Sequence, residues 1–387
     1  MGGKVFAQAG LNGEPAIETL RMNSATYQEL KNKTIDTLSA HFAKVACPPE
    51  APEKRDHGDL DILLADPIAI CPMGMDPFLH VPHLLEAKRS LHPCSDLFNL
   101  AVKISPDASP PVYAQIDVRL CGENFAWLAF LQSCGDLGNI LGVTGRGYGL
   151  SFTDSGLHLR IDGTEKMDSK DRRFFLGNDP DKVMDFVGLD KAAYANGFET
   201  EMQLFEWISQ SRLMDKYAFA KCQETADEKR RMTTRPMFKR FVEEWAPDFP
   251  ESEAAETLDR HQVRKQALAF FDKRDEYAAR IYEIELQQDE ELVFKYIKTL
   301  LMTKAMDKAK ANMVIRGLKR WVSFAGGRPR ISASPEMEAS NQDYFAGMLS
   351  SDKSALSTQA EVWLLAHYEE VRAKERARER AAYHARR

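Results

Sequence analysis

Cysteine is sparse and unpaired in this chain. The six thiols, at positions 47, 71, 94, 121, 134 and 222, are scattered and form no CxxC motif, which argues against a disulfide framework. Reduced thiols imply an intracellular protein, cytoplasmic or nuclear. Long apolar runs are missing too. None reaches the roughly 18 residues of a membrane-spanning helix, so no membrane partner is expected. The start, MGGKVFAQAG, lacks the basic-then-apolar layout of a secretory signal, and Phe6 stands where a myristoylation signal needs Ser or Thr. Excess positive charge is also absent. A formal net charge of −6 rules out a polycation, so any nucleic-acid surface must be local. What remains is the composition of a soluble globular protein, 44% apolar and 28% charged, long enough for two or three domains.

Along the chain, 1–22 reads as an irregular arm broken by Gly10, Gly13 and Pro15. Asn23 or Ser24 caps a predicted helix running to about Val45, and the proline-rich 47–56 connects it to an apolar strand. A short helical stretch is expected in FLHVPHLLEAKRSL, then strands in FNLAVKI and 112–120. In the second of these Ile116, Val118 and Leu120 share one face and Asp117 and Arg119 the other. Helices follow at Phe125–Leu131 and in GDLGNILGVTGRGYGL, then a hairpin over 150–161 turning at Asp154-Ser155-Gly156. After about 165 the pattern becomes helical, with a Gly/Pro-rich break at 325–336 before a last basic helix. The expected division is an arm 1–22, an α/β domain 23–165, a helical domain 166–325, and a linker with basic helix 326–387.

The stretch His57-Gly-Asp-Leu-Asp-Ile-Leu-Leu-Ala-Asp-Pro67 carries the chemistry. Asp59 and Asp61 alternate with Leu60, Ile62 and Leu64, so both carboxylates project from one face of a strand whose other face is apolar. Two such charges side by side cost several kcal/mol unless water or a cation compensates them. A DxD alone is weak, since Asp179-Pro-Asp181 sits at a helix start, where acids merely suit the dipole. Here Gly58 precedes the pair and permits close backbone approach, and Asp117 supplies a third acid from a later strand. Three converging carboxylates suit hard divalent cations, Mg2+ or Mn2+, completed by substrate phosphates.

GDLDILLADP resembles the metal-binding strand of the polymerase-β-type nucleotidyltransferase superfamily, whose pattern is Gly-Asp-h-Asp-h. QIDVRLCGENF resembles its third-carboxylate strand, CGDLGNILG the helix start beside the incoming nucleotide, and GLSFTDSGLHLRI the hairpin that follows. The likeness covers roughly 45–162. The same succession, continued by GNDPDKVMDFVGLD and GFETEMQLFEWISQSRLM, is similar to nucleotidyltransferase-like proteins of fungi and large viruses to about 250. The resemblance implies a small mixed-sheet palm domain followed by an all-helical C-terminal region, and transfer of NMP from an NTP to a hydroxyl with release of pyrophosphate. It implies that Asp59 and Asp61 bind both metals, and that Asp117 binds the catalytic metal and helps take the proton. Asp136 and Asn139 would contact the nucleotide's sugar or base, and Arg119 would orient Asp117.

The chain departs from that pattern at three places. The Gly-Ser that holds the triphosphate is replaced near Pro48-Pro49, and proline has no N–H to offer. Lys54 and Arg55 either supply cations to the nucleotide phosphates instead or are solvated loop charges. Leu131-Gln132 replaces the aromatic pair that excludes a 2′-hydroxyl, so ribonucleotides are admissible. The arm is too short for the DNA-gripping domains of the polymerases, which argues against templated synthesis. RNA is the first-choice acceptor through basic segments 229–240 and 371–387, although both also suit solvated helix faces. A degenerate nucleotide- or RNA-binding module is the alternative, and a small-molecule nucleotidyltransferase the third. His80 and His83 with Cys71 and Cys94 are too widely spaced for zinc. Trp207, Trp245, Trp321 and Trp363 fall on amphipathic patterns and read as core.

Overall fold

The alternation of residues 59–65 produces one strand with two unlike faces, and in a computed structural model of the chain the fold is arranged around it. The structure describes residues 3–8, 14–68, 76–105, 109–165, 167–168, 170–224, 226–248, 258–335 and 345–385. Two compact units divide the chain, residues 1–273 and 274–387.

The first unit opens with a two-residue strand β1 (Met22–Asn23) and helix α1 (Ser24–Ser39), followed by β2 (Phe42–Ala46), β3 (Asp56–His57) and β4 (Asp59–Pro67). A one-turn helix α2 (Val81–Leu84), β5 (Arg89–Cys94), β6 (Leu97–Lys103) and β7 (Tyr113–Leu120) complete the sheet region. Five strands form a mixed sheet in the order β2-β4-β7-β6-β5, in which only β4 and β7 are parallel. Leu60, Ile62 and Leu64 of β4 and Ile116 and Val118 of β7 enter one core with Tyr27, Leu30 and Leu38 of α1 and with Phe78 and Val81. Each fully buried side chain of this kind contributes about 1.5–3 kcal/mol. That core fixes the register, because a one-residue slip would drive the acids inward.

Helix α1 is capped by Asn23, whose side chain accepts from the Thr26 backbone N–H at 2.9 Å. It ends six residues before the expected Val45. Phe42 and Val45 belong instead to β2, where Val45 faces Leu64 and Phe42 joins the same core. The stretch expected as helix over 78–91 likewise gives up its end to β5. On the acidic side of the sheet lie α3 (Phe125–Leu131) and α4 (Leu137–Arg146), then the hairpin β8 (Leu150–Thr153) and β9 (Gly156–Arg160). A further strand, β10 (Arg173–Gly177), pairs with β9, in a region expected to be helical.

The rest of the first unit is helical: α5 (Pro180–Val187), α6 (Lys191–Asn196), α7 (Glu201–Ser209), α8 (Lys216–Ala220), α9 (Ala226–Thr234), α10 (Pro236–Arg240) and α11 (Arg260–Phe270). Asp179 caps α5 by accepting from Asp181 and Lys182 N–H groups at 3.0 and 3.4 Å, the structural role expected of the second DxD.

The second unit holds α12 (Arg274–Thr303), α13 (Lys308–Trp321), β11 (Val322–Ala325), β12 (Arg328–Ile331) and α14 (Thr358–Ala385). It is therefore not all-helical. Gly326 and Gly327, with φ of 58° and 74°, form a two-residue turn between β11 and β12, and glycine meets the need for positive φ at both positions. Nor is α14 simply an exposed basic helix. Val371 and Glu375 are fully buried, and Glu375 binds Arg320 and Arg378 at 2.8 and 2.9 Å and accepts from the Trp321 indole at 3.0 Å. No helix among the described residues is long and apolar enough to cross a membrane.

Candidate active site

Because β4 and β7 run parallel in register, Asp61 stands directly beside Asp117, and Asp59 beside Gln115. Neighbouring strands lie about 4.8 Å apart. Across β7, Asn99 of β6 is the partner of Asp117. The row Asp61–Asp117–Asn99 therefore crosses three strands on the face opposite the core.

Asp117 is held by two amides. Asn99 Nδ2 and Gln115 Nε2 both donate to its Oδ1, at 2.8 and 2.9 Å. Oδ2 accepts no hydrogen bond among the described residues. Burial raises the Asp117 carboxyl, the two amides lower it, Asp59 raises it again, and the balance is upward. Asp61 is exposed to the cleft by area, yet protein atoms crowd its other sides. Desolvation first, then Asp59, Asp117 and Glu50, outweigh Lys54 and push it up to about 7. These are carboxylates short of positive charge.

Two cavities meet at Asp61. One, of about 510 Å3, also includes Asp117, Arg119, Asn139 and Asp154. The other, of about 450 Å3, is bounded by the Pro48–Lys54 loop and by Asp136, Arg235 and Arg240. Gln132, Gly135 and Arg235 border both. Gly135 is a required glycine: φ is 71°, and a Cβ there would sit 2.8 Å from that of Ala51. The chain turns tightly here, and the backbone N–H of Cys134 donates to the Pro49 carbonyl at 2.6 Å.

Several anticipated residues have other engagements. Arg119 does not orient Asp117. It spans Asp96 and Asp154 at 3.2 and 2.9 Å, because both loops reach it from its own side of the sheet. Asp136 is buried and committed: it accepts from Arg235 at 2.8 Å, from the Phe238 backbone N–H at 3.2 Å and from Asn139 at 3.2 Å. It borders the cavity while tying the start of α4 to α10. Lys54 pairs with Glu50, and Arg55 is exposed and borders neither cavity. Gly58 is buried and borders neither cavity. The close approach at its backbone depends on Gly3 instead, where a Cβ would fall 2.2 Å from the Gly58 carbonyl oxygen. Arg235 and Arg240 of the basic segment 229–240 face the cavity, and Arg240 is paired with Glu201 at 2.5 Å. Cys71 lies outside the described residues, and Cys94 is exposed.

Sequence reasoning missed Asn99 and Gln115. Their signal was present in part: Gln115 is an amide two residues before Asp117 and so shares its face, and Asn99 is an amide within the apolar run FNLAVKI. It also missed the buried His57, which stacks on Tyr27 with ring centres 3.9 Å apart.

The donor set of Asp59, Asp61 and Asp117 is oxygen only, and the raised pKa values of Asp61 and Asp117 mark uncompensated negative charge. That chemistry fits a hard divalent cation. Among the described residues, no three His, Cys, Asp or Glu side chains are already arranged to hold a metal ion, so ligation calls for side-chain rotation.

No protein-family model and no curated protein matches the chain; the resemblance to fungal and viral proteins therefore gains no support there. Among solved structures, the ternary P/T complex of Leishmania infantum polymerase beta is similar at a TM-score of 0.33 and 14% identity. That match covers 44% of this chain and 74% of the other. The ternary gap complex of the same polymerase gives 0.32 and 15%, over 44% and 68%.

Proposed function

We propose that the chain is a divalent-metal-dependent nucleotidyltransferase that moves NMP from an NTP to a hydroxyl acceptor, with RNA the acceptor class. One observation carries the reading: Asp61 and Asp117 stand side by side on parallel strands, at the floor of a shared cavity, with Asp59 two residues away on the same face. Asp59, Asp61 and Asp117 would hold the cations. Bound there, divalent ions supply charge stabilisation at the attacking and leaving oxygens.

The remaining work falls to the chain's own groups. Asn99 and Gln115 fix the Asp117 carboxylate through one oxygen, and its other oxygen takes the proton of the acceptor hydroxyl. As the acceptor oxygen bonds to the α-phosphorus, the bond from that phosphorus to the oxygen bridging to the β-phosphorus breaks. Pyrophosphate leaves with the electron pair. Leu131-Gln132 places no aromatic ring at this edge of the cavity, which suits a ribose 2′-hydroxyl.

A second reading rests on a different observation. The cations around the 450 Å3 cavity already have acidic partners: Arg21 with Asp56, Lys54 with Glu50, Arg235 with Asp136 and Arg240 with Glu201. With prolines where phosphate-binding N–H groups would be needed, such a cavity suits a nucleotide-binding module without turnover.

Pyrophosphate release from each α-labelled NTP, with Mg2+ or Mn2+ and pooled RNA, separates the two. Turnover should appear in the wild type and fall at least about 100-fold in Asp59→Asn/Asp61→Asn, since each ~1.4 kcal/mol of lost charge stabilisation is tenfold. Nucleotide binding without release would select the second reading. Absence of both binding and release would remove the first.

A further inference from the structure

Strand β8 has two sides, and the acidic site uses only one. Phe152 borders the cavity over the carboxylates. Ser151, one residue earlier and facing oppositely, borders a separate cavity of about 440 Å3. Arginine dominates its walls. Arg160 ends β9, Arg172 and Arg173 lead into β10, and Arg260 opens α11.

Acids answer only part of this charge: Asp162 and Glu165 border the cavity beside the four arginines. Asp162 takes both Arg260 and Arg264, at 2.5 and 2.9 Å. Among the described residues neither Arg160 nor Arg172 has an acidic partner. Desolvation, then repulsion from Arg146, Arg260, Arg173 and Arg172, holds the Arg160 guanidinium below its usual range. The packing is built to keep the arginines there. Gly149 has φ of 77°, and a Cβ on it would meet Arg260 Nε at 2.6 Å, so the missing side chain leaves room for that guanidinium. Arg260 also donates to the Arg160 carbonyl at 3.4 Å.

Crowded like charges are costly in the absence of an anion, and planar guanidinium forks match phosphate oxygens two at a time. We infer that this arginine-lined cavity is an anion site that binds the phosphates of a polyanion, engaging at least two phosphate groups at once. It is independent of the nucleotidyl-transfer reading, because it lies on the other side of β8 and shares no lining residue with the acidic cavities. Its chemistry fits the phosphodiester backbone of single-stranded RNA or a free oligophosphate.

The test uses the full chain in EDTA, which silences metal-dependent binding at the carboxylates. The probes are a fluorescein-labelled RNA 12-mer without terminal phosphates, followed by anisotropy, and tripolyphosphate, followed by calorimetry. At least one should bind the wild type, and Arg160→Gln/Arg172→Gln should weaken it at least tenfold. The log–log salt slope should also become shallower, by roughly 0.7 for each single-strand phosphate that is no longer neutralised. Binding of RNA alone identifies the backbone as ligand; binding of tripolyphosphate identifies the free oligophosphate. Failure of both probes to bind the wild type, or unchanged binding in the double variant, overturns the inference. Should the double variant not fold, Arg172→Gln alone decides, since Arg172 is exposed: a several-fold loss supports the site and wild-type affinity removes it.

Discussion

At the residue scale, the consequence of Asp61 is a pH-dependent stability. Its carboxyl is pushed up to about 7, above the ordinary value near 4 of an unfolded chain. The folded state therefore favours the protonated form, and the stability this contributes is lost as pH rises from about 4 through about 7. Asp61→Asn, uncharged throughout, should match the wild type at pH 4 and exceed it at pH 8 in metal-free buffer. Discounted for solvent screening on the cleft side, the gain is about 1 kcal/mol, or roughly 2–4 °C. Thermal melts at pH 4, 6 and 8 check this, and a constant difference would remove the crowded-charge account. The three acids were legible because alternation within 59–65 and 113–120 fixes faces without tertiary knowledge. The partners of Arg119 were not, since Asp96 and Asp154 come from loops whose paths no local pattern specifies.

Elements were legible where one period dominated. Phe125–Leu131 and the β8–β9 hairpin follow their apolar spacing and turn residues. Helix α1 outran its true end because Phe42 and Val45 satisfy a helical spacing and a strand pairing alike, and the pairing with β4 wins by burial. The Gly/Pro-rich break after α13 concealed a hairpin, since Gly326-Gly327 is a turn signal as much as a linker signal. The crossing of α13 and α14 depends on a missing side chain. A Cβ at Gly317 would lie 2.6 Å from Val371 Cγ1 and 2.9 Å from the Val371 carbonyl oxygen. Gly317→Ala should therefore cost about 1–3 kcal/mol by overpacking, read by chemical denaturation. Adding Val371→Ala should recover only part, because the carbonyl oxygen stays in place. Wild-type stability in Gly317→Ala would mean that the helices separate freely.

For the molecule as a whole, a net charge of −6 conceals segregation. An acidic cavity and an arginine cavity lie on opposite sides of one short strand, and every residue lining either belongs to residues 1–273. A chain of residues 1–273 should thus melt cooperatively by circular dichroism and retain binding at both sites within about twofold of the full chain. A non-cooperative melt would show that the first unit needs the second to fold. Removing residues 371–387 is a poor probe of RNA contact, because Val371 and Glu375 are core residues of the second unit. Substitutions at exposed positions of α14 test that segment without opening its core.

The N-terminal arm adds a link of its own. The backbone N–H of Val5 donates to Gln115 Oε1 at 3.2 Å, 110 positions away in sequence, and Phe6 beside it is fully buried. An amide has a positive and a negative end, and this hydrogen bond dictates which end Asp117 meets. With its oxygen claimed by the arm, Gln115 can offer the carboxylate only its NH2 group. Without that claim the amide is free to turn its oxygen toward the acid and repel it. The first few residues thus act as a polarity key for the Asp117 carboxylate, setting the sign of one of its two amide neighbours from outside the cleft.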